Sequence, residues 1–371
     1  MTLSGCDRIQ VMGTHQLISY IAPAAPATRR PATGHESFLR PEIGFTPKWY
    51  HDAIGVDLGQ RWHDDPAYRK EALVAMRGEL AIRFEGTVIG GTDRPLDLLT
   101  GAYGVCCVAA IYGVPVRYAR DRWPVCEKRY LSTDQVERLE PPDLDANGFF
   151  QNLLAQVDRI AEQQGRVEGY INWQGVLNNA WRLRGEALFT DLLDAPQRCC
   201  RLFDCVSTTM IEAARLLHER QRRTGVEIGF ITVSNCLVNM VSPQQYRELL
   251  LPFDRRLAEA FGCIGIHNCA WNADPYVNDY TRIPHVGYID MGLDSNLASA
   301  RQMFGQARRA LMYKPTDLAE KSSENIRQDM EMIAREYGPC DIVLADIESG
   351  TPDRRILELV NMCREIERHF N

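Results

Sequence analysis

A regular alternation of helical and strand-like segments, from about residue 150 to the C terminus, most constrains the fold. Amphipathic stretches predict helices at 149–164, 177–183, 188–223 with a break near 194–196, 243–261, 275–281, 295–305, 322–337 and 352–369. Apolar runs between them predict strands at 167–172, 226–233, 263–266, 285–290, 309–313 and 341–346. Successive strands joined by helices form a parallel sheet. We therefore predict an α/β fold, a closed (β/α)₈ TIM barrel, with an open doubly wound sheet as the alternative.

Length, charge and cysteine usage limit the number of domains, the kinds of partner and the cellular compartment. The 371 residues fit one large barrel with insertions, and we predict a single domain at 36–371 after a flexible N-terminal arm at 1–35. The net charge of −7 offers no basic surface for nucleic acid or an anionic membrane, and no apolar run reaches the length of a membrane span. Twelve scattered cysteines without framework spacing or a secretory signal indicate reduced thiols in a cytoplasmic protein.

His267 and Cys269 are the best lead to a function. They come directly after a predicted strand, and active sites of such barrels lie at the C-terminal ends of strands. Side chains two apart on an extended strand point to the same face, so a strand carried through Asn268 would direct both groups into one cavity. Imidazole and thiolate together suit Zn²⁺ better than other common ions. The pair therefore predicts one half of a zinc site.

Position at strand ends also selects the other candidates. Polar or chemically active side chains follow predicted strands at this end of the barrel at Asn172, Trp173, Gln174, Asn235, Cys236, Asp290, Lys314, Asp346 and Glu348. Cys340 precedes its predicted strand by one residue and Cys263 is the first residue of its strand, which places both at the opposite mouth. We exclude these two cysteines as partners of His267.

The third metal ligand is expected among the candidates that carry a thiol or a carboxylate. Cys236 would complete a set of two thiolates and one imidazole and leave a fourth position open for substrate. The alternatives are Asp346 and Glu348, with Asp290 less favoured. Asp346 could equally act as a general base or as a hydrogen-bond acceptor for the His267 ring.

Residues around the pair are candidates for holding a substrate. Tyr170 and the 172–174 segment could line the pocket and orient the substrate, and Trp271 could overhang the metal. The alternative for Trp173 and Trp271 is packing at the barrel rim. Lys314 could anchor an anionic group or serve as an acid, and its alternative is a rim salt bridge, for instance with Asp317.

Three features carry a family resemblance. They are a strand that ends in His-x-Cys, the segment Ser242-Pro-x-x-Tyr-Arg-Glu248 leading into Leu-Pro-Phe, and Thr351-Pro352 after the last strand. Together they resemble the uroporphyrinogen decarboxylase superfamily over roughly residues 45–370. Within it, His-x-Cys is typical of the zinc-dependent branch that includes methylcobalamin:coenzyme M methyltransferases and related corrinoid-dependent enzymes.

Two departures qualify the resemblance. The porphyrinogen decarboxylases hold substrate carboxylates with an Arg-Gln-Ala-Gly-Arg segment, and its absence here argues against a polyanionic tetrapyrrole substrate. The methyltransferases carry their third ligand, a cysteine, six residues before Thr-Pro, where this chain has Ala345. Either the third ligand has moved to Cys236 or a carboxylate, or the chemistry is different.

The resemblance implies a zinc-dependent alkyl transferase, in the simplest form one that moves a methyl group between a corrinoid (methylcobalamin) or small donor and a thiol-type acceptor. In such enzymes Zn²⁺ holds the thiol as a thiolate. The alternatives are a metal-dependent lyase or decarboxylase of a small carboxylated substrate and a non-catalytic metal- or corrinoid-binding protein. The expected partners are a small-molecule substrate and a corrinoid protein, and the resemblance alone suggests a homodimer.

Overall fold

The predicted α/β class is confirmed by a computed structural model that describes residues 31–34, 36–87, 89 and 95–370. Most of the predicted arm, residues 1–30 and 35, lies outside the described residues. The N-terminal part contains β1 (Leu39–Phe45), α1 (Pro47–Ile54), α2 (Gln60–Asp64), α3 (Pro66–Arg83), α4 (Cys107–Ile111), β2 (Val116–Ala119), β3 (Arg122–Cys126), α5 (Thr133–Glu137), α6 (Gly148–Gln164), α7 (Val176–Arg184), α8 (Ala187–Asp194) and α9 (Pro196–Arg223). β2 and β3 form a separate antiparallel hairpin.

The C-terminal part alternates strands with helices as predicted. Its elements are β4 (Ile231–Ser234), α10 (Pro243–Gln245), α11 (Leu251–Phe261), β5 (Ile264–His267), α12 (Asp274–Tyr280), β6 (Val286–Gly292), α13 (Leu297–Met303), β7 (Arg308–Met312), α14 (Pro315–Glu320), α15 (Ser323–Tyr337), β8 (Cys340–Ile347) and α16 (Asp353–Phe370). Each helix predicted from residue 149 onward is observed with ends within two residues of the prediction. The amphipathic pattern was therefore sufficient to place these helices.

The main sheet consists of six parallel strands in the order β1-β8-β7-β6-β5-β4. Sequential parallel neighbours joined by helices are the repeating unit of a (β/α)₈ barrel. Ser234 at the end of β4 pairs in register with His267 at the end of β5. The C-terminal ends of these two strands therefore bring the residues that follow them together.

The two faces of the sheet have different surroundings. Ile266 and Ile289 belong to the large core that the sheet shares with the helices. Alternate residues of the strands point to the other, inner face, where a smaller apolar cluster consists of Tyr288, Ala310, Met312, Val343 and Ala345. His267 and Asp290 lie one residue from Ile266 and Ile289, so they share this inner face. Ala345, which replaces the expected cysteine ligand, faces the same way.

The predicted strand at 167–172 is not a strand of the described sheet, and this part of the prediction is wrong. Side-chain hydroxyl groups, and not backbone carbonyls of a neighbouring strand, accept the backbone N–H groups here. The Tyr170 N–H donates to the Thr100 hydroxyl oxygen (3.1 Å), and the Thr232 N–H donates to the Tyr170 hydroxyl oxygen (2.8 Å). Gly169 also has a φ of 110°, outside the range of an extended strand. The segment nevertheless connects residue 100 with β4.

The helical region from 243 to 261 contains a wide turn. Ser242 caps it with a capping box, Pro243 starts it, and residues Tyr246–Leu250 form a π-helical turn before α11. Pro252 explains the irregularity, because it has no N–H and its ring would collide with the carbonyl four residues earlier in a regular α-helix. The wide turn places the Tyr246 hydroxyl 2.8 Å from Asp254 Oδ2.

A buried ion network occupies the N-terminal end of the inner face. Asp341 accepts hydrogen bonds from Arg40 and from Arg308 Nε (2.6 Å for the latter), and Arg308 also donates to Glu42 (2.7 Å). Opposite charges compensate each other here, which makes the network a structural feature of that end. At the C-terminal end of the inner face, the polar residues are instead arranged around His267.

Candidate metal centre

His267 is oriented by a buried carboxylate. Its side chain ends β5 and is only 4% exposed, and its Nδ1 lies 2.6 Å from Asp290 Oδ2. The same oxygen accepts the Tyr288 hydroxyl (2.9 Å), and Asp290 is fully buried. Because a carboxylate accepts hydrogen bonds, Nδ1 carries the proton and the lone pair is on Nε2. From the sequence, Asp290 was considered as a metal ligand. It instead accepts the hydrogen bond from the His267 ring, which is a role that we had proposed for Asp346.

Cys269 reaches His267 through a sharp turn of the backbone. We expected an extended strand through Asn268, but β5 ends at His267 and Cys269 has a φ of 62°. Asn268 fixes this turn, because its N–H donates to Asp290 Oδ1 (2.7 Å) and its side-chain amide donates to the Asp290 carbonyl (2.8 Å). The Cys269 Sγ lies 3.0 Å from His267 Nε2. The two groups meet as predicted, although by a different backbone path.

Cys236 completes the group from the neighbouring strand end. Its Sγ lies 2.8 Å from Cys269 Sγ, and both cysteines are half-buried. The backbone holds this loop in place, because the Asn235 N–H donates to the His267 carbonyl (2.7 Å). The ligand atoms of Cys236, His267 and Cys269 all lie within 4.8 Å of one another. One thiol from each of two strand ends therefore faces one imidazole.

This donor set fits Zn²⁺. Two thiols and an imidazole in a small cluster are typical zinc ligands, and three protein ligands leave one position of a tetrahedron for substrate. The hydrogen bond from His267 to Asp290 is the kind of support that metal-bound histidines usually have. The three residues could therefore hold a zinc ion.

The carboxylates that we considered as third ligands lie outside this group. Glu348 is exposed, and its carboxylate accepts a weak hydrogen bond from the Thr46 hydroxyl (3.4 Å). Asp346 is also exposed and has a φ of 64° in the last part of β8. Neither belongs to the three-residue group. The residues that the structure brings together are those that carry sulfur and imidazole.

Tyr170 is a core residue. Besides its bond to the Thr232 N–H, its ring stacks on Phe230 with a centroid distance of 5.3 Å, and it is 1% exposed. Burial raises its pKa far above that of an ordinary tyrosine. A hydroxyl held in this way supports β4, so the structure argues against our prediction that Tyr170 orients substrate or takes part in catalysis.

The 172–174 segment is held by its own hydrogen bonds. Asn172 Oδ1 accepts from both the backbone and the side-chain amide of Gln174 (3.1 and 3.0 Å), and Gln174 has a φ of 57°. Trp173 is fully buried, and its Nε1–H has no acceptor among the described residues. The half-buried Trp271, two residues after Cys269, packs edge-on against Tyr276 and likewise has a buried Nε1–H without an acceptor in the described part of the chain.

Asn235 and Lys314 also have defined partners. The Asn235 side-chain amide donates to Asp254 Oδ2 (2.9 Å), and burial raises the pKa of Asp254 to about 6 against the lowering effect of hydrogen bonds from Tyr246 and Asn235. Lys314 is exposed and lies 3.7 Å from Asp294, whereas the suggested partner Asp317 pairs with Lys321. Asn235 is thus a support of the Cys236 loop, and Lys314 is at the rim.

Sequence reasoning missed two tyrosines, Tyr280 and Tyr288, that support the ligands through Asn268 and Asp290. The Tyr280 hydroxyl donates to Asn268 Oδ1 (2.7 Å), so α12 contributes to the turn at Cys269. Tyr288 and Asp290 are two apart on one strand, and this spacing could have indicated that they share a face with the site. No comparable pattern connects Tyr280 with Asn268, because the contact depends on how α12 packs.

Comparisons with known proteins agree with this architecture. The model of the family described as uroporphyrinogen decarboxylase (URO-D) matches residues 82–363. Among solved structures, a methyltransferase from Methanosarcina mazei is similar, with a TM-score of 0.57 and 15% identity over 85% of this chain and 90% of that one. At this identity the likeness shows the fold alone. None of the curated proteins matches the chain.

The fold of the matched family is a TIM barrel, which agrees with the predicted barrel class and confirms the predicted family resemblance. The described residues contribute six parallel strands in the sequential order of such a barrel. Among the helices of the described residues, we find no apolar span that would reach across a lipid bilayer. The matched segment covers most of the 371 residues, and the chain therefore belongs to the uroporphyrinogen decarboxylase family.

Proposed function

We propose that the protein is a zinc-dependent alkyl transferase, in the simplest form a methyltransferase, acting between a corrinoid or small methyl donor and a thiol-type acceptor. The observation that carries the proposal is that the third residue beside His267 and Cys269 is Cys236, a thiol and not a carboxylate. A thiolate-rich set lowers the Lewis acidity of zinc and leaves a bound sulfur nucleophilic, whereas a carboxylate would favour activation of water. The donor set thus favours alkyl transfer over lyase chemistry.

The residues of the chain contribute position and charge. Asp290 keeps the Nε2 of His267 directed toward the cysteines, and Asn268 holds the Cys269 turn. Both cysteines are half-buried, which leaves them accessible to a small molecule from the C-terminal edge of the sheet. Ala345, on the same inner face, contributes only a methyl group.

The proposed reaction is balanced without a redox co-reactant. When bound, Zn²⁺ would lower the pKa of the acceptor thiol so that its proton is released at neutral pH. The sulfur then supplies the electron pair of the new S–C bond. The methyl group leaves its donor without the bonding electrons, which remain on the cobalt of the corrinoid, giving cob(I)alamin, or on the leaving atom of a small donor.

The partners belong to the same proposal. A small-molecule thiol and a corrinoid protein would approach the exposed edge that carries Lys314, Asp346 and Glu348. We propose that these three side chains contact substrate or partner, and that Trp271 and Gln174 help to shape the pocket. A homodimer in a cytoplasmic setting is part of the same hypothesis, by resemblance to the family.

Metal analysis of the purified protein is the first test. We expect close to one zinc per chain, with a strong loss in Cys236→Ser, His267→Ala and Cys269→Ser and no loss in the control Cys200→Ser, since Cys200 lies in α9 outside the group. Less than about 0.2 zinc per chain, without a gain on reconstitution, would refute the zinc site.

Demethylation of methylcobalamin by a panel of thiols then tests the reaction. We expect the cobalt spectrum to change with at least one thiol and the change to be lost in the three ligand variants. A zinc-loaded protein that demethylates no donor with any thiol would move the assignment to a metal-dependent lyase or decarboxylase of a small carboxylated substrate. A zinc-loaded protein without any turnover would be a metal- or corrinoid-binding protein.

A further inference from the structure

A second pair of thiols, Cys106 and Cys126, lies outside the candidate metal centre. Cys106 directly precedes α4, and Cys126 is the last residue of β3. The Cys106 Sγ lies 3.4 Å from the Pro124 carbonyl oxygen. A Cβ atom added at Gly104 would lie 3.2 Å from the Pro124 ring. The chain that leads into α4 therefore packs directly on β3.

The geometry of β3 places Cys126 beside Cys106. Pro124 and Cys126 are two apart on this strand, so their side chains point to the same face. Val125, between them, points to the opposite face and is 54% exposed, whereas Pro124 is buried. On the inward face, the thiol groups of Cys106 and Cys126 form a hydrogen bond. The two sulfurs are thus in contact across two separate elements.

The two thiols differ in accessibility and in acidity. Cys106 is fully buried, and Cys126 is half-buried. The hydrogen bond from Cys106 lowers the pKa of the Cys126 thiol against the effect of burial, and the charge of Arg182 acts in the same direction as the hydrogen bond. The contact with Cys126 and burial both raise the pKa of Cys106. An accessible, acidic thiol beside a second thiol is typical of redox-active cysteines.

Cys107 shows the contrast. It is the next residue after Cys106 and is fully buried, and burial raises its pKa to about 12. Cys340 and Cys363 are buried in the same way, with pKa values also raised to about 12. Buried thiols of this kind are inert. The contact with β3 therefore distinguishes Cys106 from its neighbour.

We infer that Cys106 and Cys126 are a redox modification site, at which a peroxide produces a disulfide between the start of α4 and the end of β3. The Cys126 thiolate attacks one peroxide oxygen and becomes a sulfenic acid, while hydroxide leaves. The Cys106 sulfur then attacks the sulfenic sulfur. The S–S bond forms, the S–O bond breaks, and the hydroxyl group leaves with the Cys106 proton as water. The two thiols lose two electrons, which reduce hydrogen peroxide to two molecules of water.

This inference does not depend on the proposed function, because it uses neither the metal centre nor the methyl donor. Hydrogen peroxide treatment of the full-length protein, followed by blocking of the remaining thiols with N-ethylmaleimide, tests it. Trypsin should then release the peptide Trp123–Lys128 joined to the peptide 84–117 by a bond that dithiothreitol breaks. The link should be lost in Cys106→Ser and in Cys126→Ser. It should be kept in the matched control Cys107→Ser, which changes the other cysteine of the same peptide.

The role of Cys126 as the attacking thiol has its own measurement. With iodoacetamide at pH 7, Cys126 should be alkylated about 10-fold faster than Cys200, which is also half-buried but has a pKa raised by burial. Dimedone should trap a sulfenic acid on Cys126 in the Cys106→Ser protein. It should leave Cys106 unlabelled in the Cys126→Ser protein.

Wild-type protein alone can overturn the inference. A peroxide-treated wild type without the link between the two peptides would refute the disulfide, and so would a link that persists in Cys106→Ser. Alkylation of Cys126 no faster than that of Cys200 would refute its role as the attacking thiol. A disulfide between Cys236 and Cys269, without one between Cys106 and Cys126, would refute the inference and identify the metal centre as the peroxide-sensitive site.

Discussion

Replacing Asp290 with asparagine should weaken metal binding although Asp290 is not itself a ligand. Asp290 Oδ2 receives the His267 ring and the Tyr288 hydroxyl, and Oδ1 receives the Asn268 N–H. In Asp290→Asn, the amide oxygen can keep the bond to the Asn268 N–H. The new NH₂ group then faces the His267 Nδ1–H and the Tyr288 hydroxyl, which are themselves donors. The His267 ring can relieve this conflict only by turning or by moving its proton to Nε2, the nitrogen that faces the cysteines.

The expected loss is about 10- to 100-fold in zinc affinity, or about 1.4 to 2.7 kcal/mol, as for other carboxylates that support metal-bound histidines. Competition with a chromophoric chelator measures this affinity directly. Asp97→Asn is the matched control, because Asp97 is also buried and accepts the Leu99 and Thr100 N–H groups without contacting His267. An unchanged affinity in a folded Asp290→Asn protein would refute the idea that Asp290 orients the ring.

Two further predictions concern stability. Asp254, with a pKa raised to about 6, binds its proton more readily in the folded state, so its contribution to stability increases as the pH falls from 7 to about 4, by up to about 3 kcal/mol. In urea unfolding, the change in the free energy of unfolding from pH 7 to pH 5 should therefore be more favourable to the folded state in wild type than in Asp254→Asn. An equal change in the two proteins would contradict the burial argument. Gly175→Ala should lower the stability by about 1 to 3 kcal/mol in thermal unfolding, because its Cβ would collide with Asn235 and Ser234, whereas Gly148→Ala, with open space at the Cβ, should be nearly neutral. Equal melting temperatures for the two glycine variants would show that α7 moves without cost.

The sequence predicted the parts of the site that depend on position along a strand. His267, Cys269 and Cys236 all follow strands whose apolar runs are readable, and parallel strands bring such residues to one edge. The path from His267 to Cys269 was not predictable in the same way. It depends on a left-handed residue held by Asn268 and Asp290, a contact between two strands that no local pattern encodes.

Tyr170 illustrates a second limit. Its apolar surroundings in the sequence indicated a strand, and the residue is indeed buried near β4. Its hydroxyl, however, replaces a backbone carbonyl as acceptor for the Thr232 N–H. Such an exchange of side chain for backbone depends on the three-dimensional packing, so the strand at 167–172 was predicted incorrectly.

The π-helical turn at Tyr246–Leu250 means that this helix contains one residue more than a regular helix of the same span. Removing one residue from the turn would restore ordinary pitch and rotate the preceding residues by about 100°. Tyr246 would then point away from Asp254, and the support of Asn235 behind the Cys236 loop would be lost with it. The length of the helix between Ser242 and Phe261 is therefore as strict a requirement for the site as the identity of its ligands.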